Sequence, residues 1–180
     1  MKERSVKERV LFYCRCNALW SQMAEAFLKK FFPERYEAYS AGVQVTAVHP
    51  GAARVMAEIG IDLSEHRSKG IEEFVGTKFD YVALVCGEPP EVCPFFPQQE
   101  KPVKCERCSM CCIFLPFFPS GVQVLRTSFR DPTKFVGPEK QSLDMFREVR
   151  NEIRDWVMDT FGVEEIAVDS RSGGCAFRQT

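Results

Sequence analysis

The sequence predicts an α/β fold, a three-layer sandwich around a mainly parallel four-stranded sheet, and three observations predict it. Short apolar runs without alternation, at residues 10–13 and 79–85, suit strands buried on both faces. Segments of helical period follow them, the longest carried by Leu143, Phe146, Val149, Ile153, Val157 and Phe161. The two kinds of signal alternate along the chain, the order that lays strands parallel with helices crossing over them.

Val10, Leu11, Phe12 and Tyr13 make the first strand, after a charged leader. Met23, Phe27 and Phe31, with Ala24 and Leu28 beside them, then repeat at helical spacing until Pro33 stops the pattern, and Ser21 stands where a cap belongs. A second strand is expected over 36–40, followed by a turn at Ala41 and Gly42. Ala52, Val55, Met56 and Ile59 line a helix that Pro50 opens, since its missing amide hydrogen is not needed there, and that Gly60 closes. A short helix near 69–75 leads to the third strand, which ends at Cys86 and Gly87. Residues 88–120 hold seven of the chain's eleven prolines and no persistent period, so they read as loop. A brief fourth strand at 122–125 precedes the long last helix, which Gly162 stops. The expected organisation is one domain over 1–162 with an insertion at about 88–121, and a tail over 163–180.

The bulk numbers fit one domain of ordinary globular composition: 180 residues, 45% hydrophobic and 27% charged. A formal charge of -1 gives no global field to gather nucleic acid or an anionic membrane, so neither is expected as a partner. The apolar stretches fall short of a membrane span, and the mixed-charge leader is unlike a secretory signal, which together predict a cytoplasmic location. Nine cysteines, an odd count without a secretory signal, favour reduced thiols used for redox chemistry or metal binding.

Cys14 falls between the first strand and the first helix. Free amide hydrogens and the positive end of a helix there favour a thiolate, and such loops also cradle tetrahedral anions. A buried cysteine that fills space is the plain alternative. Cys86 and Asp131 follow later strands, at the edge of the sheet where ligands bind in this architecture. A second constellation, Cys105, Cys108, Cys111 and Cys112, has the two-residue gaps that let thiolates converge on a metal. A structural zinc site, an iron–sulfur cluster and a set of exchanging thiols without metal all remain open for it. Cys16, Cys93, Cys112 or Cys175 could supply a fourth ligand. Phe95, Phe96, Phe114, Phe117 and Phe118 in the same insertion read as filling around the proline turns. His49 and His66 read as helix-start and loop residues, and Trp156 as structural.

The chain resembles the thioredoxin-coupled arsenate reductases of the low-molecular-weight protein tyrosine phosphatase superfamily. The resemblance rests on Val10-Leu-Phe-Tyr-Cys14, Asn17, Ser21-Gln-Met-Ala-Glu25, Tyr39-Ser-Ala-Gly42, His49-Pro50, His66-Arg-Ser-Lys69, Val85-Cys86, Cys93-Pro94 and Asp131-Pro132. It implies the low-molecular-weight phosphatase-like fold, with Cys14 as nucleophile of an oxyanion loop made of Cys14, Arg15, Cys16, Asn17, Ala18, Leu19, Trp20 and Ser21. Asn17 would hold that loop and Ser21 would bond the thiolate. Cys86 and Cys93 would relay a disulfide, Asp131 would protonate a leaving oxygen, a small oxyanion would be the substrate, and a thioredoxin-like protein the electron donor.

One position departs from the pattern. The family places an arginine six residues after its cysteine, where this chain has Trp20. Losing one well-placed donor from an oxyanion site costs about 3 kcal/mol, and an indole offers one N–H where a guanidinium offers a charged fork. Arg15 should point away from the loop, and Arg67 is another source of positive charge. The leading expectation is therefore an atypical arsenate-reductase-like, thiol-dependent redox protein with a remodelled oxyanion loop and a metal-binding cysteine cluster. A noncatalytic metal-binding or regulatory protein on the same scaffold is the alternative.

Overall fold

Four strands lie in the order β2-β1-β3-β4, every neighbouring pair parallel, in a computed structural model that describes residues 6–87 and 123–162. They are β1 (Glu8–Cys14), β2 (Tyr36–Gly42), β3 (Tyr81–Cys86) and β4 (Gln123–Ser128). Three α-helices connect and cover them: α1 (Trp20–Phe31), α2 (Pro50–Ala57) and α3 (Glu139–Phe161). Val10 to Cys14 are each no more than 1% exposed, as a central strand covered on both faces requires.

The pleat divides this strand between two cores. Val10, Phe12 and Cys14, with Ala83 and Val85 from β3, pack against α1, α2 and α3. Leu11 and Tyr13, with Val82, Leu84 and Cys86, face the other way, beneath Ile71, Phe79 and Phe74. The result is a three-layer α/β sandwich. Phe161 closes the larger core at the end of α3, its ring edge-on to Phe12, Tyr36, Tyr81 and Trp156. Arg150 ties α3 to the end of α2 by donating to the Val55 carbonyl at 2.8 Å and to Glu58. A cation is well placed there, at the negative end of a helix.

Several boundaries differ from those expected: β2 runs on through Ala41 and Gly42 instead of turning there, and α2 ends at Ala57, leaving Ile59 39% exposed outside it. The segment near 69–75 is a single 3-10 turn, Ile71–Phe74, because Gly70 is drawn into a parallel bridge with Gly42 and keeps the residues before the turn extended. Phe79 stays outside β3, packed edge-on against Tyr39 and Phe74. β4 runs on to Ser128, paired with Cys86. The insertion and the tail, with Cys93 and Cys175, lie outside the described residues.

Gly42 ends β2 opposite Cys14. A Cβ there would sit 2.7 Å from the Asn17 amide nitrogen and 3.0 Å from the Arg15 carbonyl oxygen, both backbone atoms of the loop after β1. Backbone cannot yield as a flexible side chain can. Gly42→Ala is therefore expected to cost about 1–3 kcal/mol in a urea unfolding titration, and a variant as stable as wild type would mean that the loop is loose.

Candidate functional site: the loop after the first strand

Between the end of β1 and the start of α1 the chain makes a tight loop whose carbonyls are all held from outside. The Arg15 oxygen accepts the amides of Val43 and Gln44, both at 2.9 Å, and the Ala18 oxygen accepts the His49 amide at 2.8 Å. The Cys16 oxygen accepts the hydroxyls of Ser68 at 2.9 Å and Thr46 at 3.2 Å. With these oxygens turned outward, amide hydrogens of the loop face inward and form a nest of partial positive charge. The Cys14 sulfur lies in it, accepting the Asn17 N–H at 3.1 Å and lying 2.9 Å from the Ser21 hydroxyl oxygen.

Asn17 makes this turn possible. It is the one non-glycine residue with positive φ, 46°, among the described residues, and asparagine tolerates that region better than most. Its fully buried side chain is held on every side. Oδ1 accepts the Lys69 amide at 2.7 Å and Gln22 Nε2 at 2.9 Å, and Nδ2 donates to Ser21 Oγ at 2.9 Å. Gln22 also donates to the Asn17 and Arg67 carbonyls, and its Oε1 meets His66 Nδ1 at 2.9 Å. Ser21 does not cap α1 as expected. Leu19 takes the cap position without a side-chain bond, and the serine hydroxyl serves the sulfur and Asn17 instead.

A second buried group braces the same region. Glu25 is 3% exposed and receives Lys69 Nζ at 3.1 Å, Lys29 Nζ and the Ser40 hydroxyl. Burial would push this carboxyl up, but Lys69 and Lys29 outweigh it and hold it below the usual carboxylate range. Gln22, Glu25, Ser68 and Lys69 had no role from the sequence. The available signal was polar: Ser21, Gln22 and Glu25 interrupt a helix whose residues from 21 to 28 are all buried.

Burial of the sulfur corrects one expectation, that of a favoured thiolate. Cys14 is 1% exposed, and desolvation pushes its thiol up, with the Ser21 hydroxyl and the amides of Asn17, Ser21 and Cys16 pulling against that rise without cancelling it. Position at a strand–helix junction does not lower this thiol's pKa, because burial is the larger effect.

The remaining expected site residues gather at the strand ends. Trp20 opens α1, and its indole lies against Gly87, where an added Cβ would sit 2.5 Å from Cζ2 and 3.3 Å from the Asp131 Cβ. The indole N–H donates to the Arg130 carbonyl at 3.3 Å. Asp131 caps a short 3-10 turn, accepting the Thr133 amide at 3.0 Å and hydroxyl at 2.6 Å. Cys86 lies one residue beyond the pairing level of Cys14 and on the opposite face of the sheet. Arg15 is exposed, and Arg67 is forked onto Glu73. His49 caps α2 through Nδ1, and burial holds its ring below the usual histidine range despite the Asp131 charge.

The expected metal centre is corrected. Among the described residues no group of three or more His, Cys, Asp or Glu side chains could hold a metal ion. The thiols there are separated: Cys14 is enclosed, Cys86 faces the other core, and Cys16 reaches only Gln44, at 3.9 Å. Cys105, Cys108, Cys111 and Cys112 lie outside the described residues, and zinc or an iron–sulfur cluster has no part in the site described. No helix among the described residues is long and apolar enough to cross a membrane.

Glu25 gives a pH test of the brace. A carboxyl held down in the folded chain contributes stability above its unfolded value near 4.5 and loses it as pH falls through the folded value. Glu25→Gln should therefore flatten the fall in unfolding free energy below about pH 4.5, read by urea titrations at stepped pH. An unchanged slope would mean that other carboxylates dominate.

Sequence and structure comparisons agree with this architecture. The family model described as low molecular weight phosphotyrosine protein phosphatase matches residues 9–169. An arsenate reductase of Halalkalibacterium halodurans is 33% identical over 147 residues, covering 82% of this chain and 90% of the relative. The arsenate reductase of Bacillus subtilis is 30% identical over 144 residues, covering 80% and 88%. A solved arsenate reductase in the phosphate binding state superposes with a TM-score of 0.57 at 27% identity, covering 86% of this chain and 97% of the other. A low molecular weight protein tyrosine phosphatase from T. tengcongensis shares the fold, with a TM-score of 0.60 at 20% identity over 87% of this chain and 99% of its own. With the strand–loop–helix geometry and these matches together, the chain belongs to the low molecular weight phosphotyrosine protein phosphatase family, with arsenate reductases among its relatives.

Proposed function

We propose that the protein performs thiol redox chemistry of the arsenate reductase type, with Cys14 as nucleophile, Cys86 and Cys93 as the thiols that carry the disulfide onward, and a thioredoxin-like dithiol as the electron donor. One observation carries the reading: the Cys14 sulfur accepts the Asn17 amide at 3.1 Å, in a loop whose carbonyls are all engaged elsewhere. Such donors stabilise the sulfur's negative charge once its proton has left and cost no reorganisation at that moment. Space filling alone does not require them.

Asp131 is assigned to proton delivery to the leaving group. Trp20 stands in the seat that the family gives to an arginine, so the charged fork for a tetrahedral anion is missing. Arsenate and phosphate esters are then weak substrates, since each well-placed donor in such a site is worth about 3 kcal/mol. Cys86 sits on the neighbouring strand but on the far face, so disulfide formation needs the end of β3 to move, because sulfur atoms pointing apart cannot be bridged otherwise.

The test is a stoichiometric oxidation. Diamide takes two electrons and two protons from a pair of thiols; in a Cys93→Ser chain, where the disulfide cannot be passed on, a disulfide linking Cys14 to Cys86 should appear in peptide mass spectra and disappear on adding reduced thioredoxin. Cys14→Ser should abolish it; if Cys14 stays reduced in the Cys93→Ser chain, the reading fails.

The sulfur's titration adds a second prediction. Because burial pushes the thiol up, iodoacetamide labelling of Cys14 should keep rising with pH beyond the ordinary thiol value near 8.5. The Ser21 hydroxyl pulls the other way, so Ser21→Ala should move the midpoint higher still. A midpoint that falls in this variant would show that the serine opposes the thiolate.

A further inference from the structure

We infer that Trp20 is the specificity-determining residue of the Cys14 site and selects an uncharged sulfur electrophile, an organic disulfide, over a tetrahedral oxyanion. This deepens the reading of Cys14 as a nucleophile and rests on it. The indole joins the start of α1 to the ends of β3 and β4. Its ring edge crowds Gly87 beside Asp131, and its single donor is already committed to the Arg130 carbonyl. An anion arriving there meets an apolar ring with no free indole hydrogen.

The nearby cations do not repair this. Arg67 is forked onto Glu73, Lys69 is bound to Glu25, and Arg130 reaches Glu148 at 3.3 Å. Arg15 belongs to the loop itself but is exposed. Stripping a multiply charged oxyanion of water without a compensating charge is expensive, whereas a neutral disulfide loses little and gains contact with an aromatic face.

The step balances without a further reagent. The Cys14 thiol gives its proton to solvent, its sulfur forms a bond to one sulfur of the disulfide, and the old sulfur–sulfur bond breaks. The departing thiolate takes up a proton, leaving Cys14 in a mixed disulfide and one free thiol. A dithiol donor then reduces the mixed disulfide and is itself oxidised to a disulfide.

Two aromatic disulfides of similar size test the charge preference: neutral dithiodipyridine and dianionic dithiobis(nitrobenzoate). Mixed disulfide at Cys14 is counted by peptide mass spectrometry, each rate normalised to the same cysteine in urea-unfolded chain. In the wild-type protein the neutral reagent should win by at least about tenfold. Trp20→Arg should narrow that ratio, and Trp20→Phe, which keeps the ring but not the N–H, should leave it unchanged.

A wild-type ratio near one would overturn the inference, as would protection of Cys14 by millimolar inorganic phosphate, and either result leaves Cys14 standing as a nucleophile. The wild-type measurement decides even if Trp20→Arg does not fold. A Cys14 that reacts with neither reagent would overturn the nucleophile reading itself, and the inference with it.

Discussion

The site depends on one backbone turn, the left-handed conformation of Asn17 that aims its N–H at the Cys14 sulfur. That conformation is unfavourable for a residue with a side chain and persists only where its surroundings over-determine it. Here Gln22, Lys69 and Ser21 each bond the asparagine amide. The loop's shape is thus set by groups from α1 and from the segment before the 3-10 turn, and the loop could not keep it unaided. The sheet supplies the rest, since Gly42 lets β2 approach the loop closely enough for the Val43 and Gln44 amides to turn the Arg15 carbonyl outward.

Two opposed effects meet at the sulfur. Burial favours the neutral thiol, and the inward hydrogens favour the thiolate; at rest burial is the stronger. A thiol arranged this way is shielded from adventitious oxidation, which tracks thiolate character and exposure, while hydrogen-bond donors stand beside its sulfur. The same economy governs Glu25, where burial opposes charge but two lysines reverse the outcome. One buried acid is held below its usual range and the other above it, because one has cations beside it and the other has only dipoles.

The parts of the fold legible in the sequence were those with a strong period or a strong stop. Residues 10–13 announced a central strand because burial on both faces removes the usual alternation, and Pro33, Pro50 and Gly162 marked helix limits by simple backbone chemistry. The 3-10 turn is not legible, because a long-range bridge between Gly42 and Gly70, invisible to local pattern, holds the preceding residues extended. The place of Cys14 between β1 and α1 is legible in the sequence, but the burial that pushes its thiol up is not, since depth below the surface is a property of the whole packing. Ser21 divides the two kinds of reading: its place near a helix start suggests a cap, which it does not make, whereas the resemblance puts its hydroxyl on the sulfur, where it lies, 2.9 Å from Cys14 Sγ. The metal expectation rests on cysteines outside the described residues, and among the described residues no group of side chains could hold a metal ion.

The contact between Trp20 and Gly87 links two positions far apart in the chain. An indole at the first can stand where it does only while the second lacks a side chain, since even a methyl would lie 2.5 Å from the ring. Drift at either position is therefore constrained by the other. A lineage that exchanged the tryptophan for a smaller residue would free the glycine to vary, whereas one that first enlarged the glycine would have to displace the ring, and with it the bond to Arg130 that fastens the end of β4 to the start of α1.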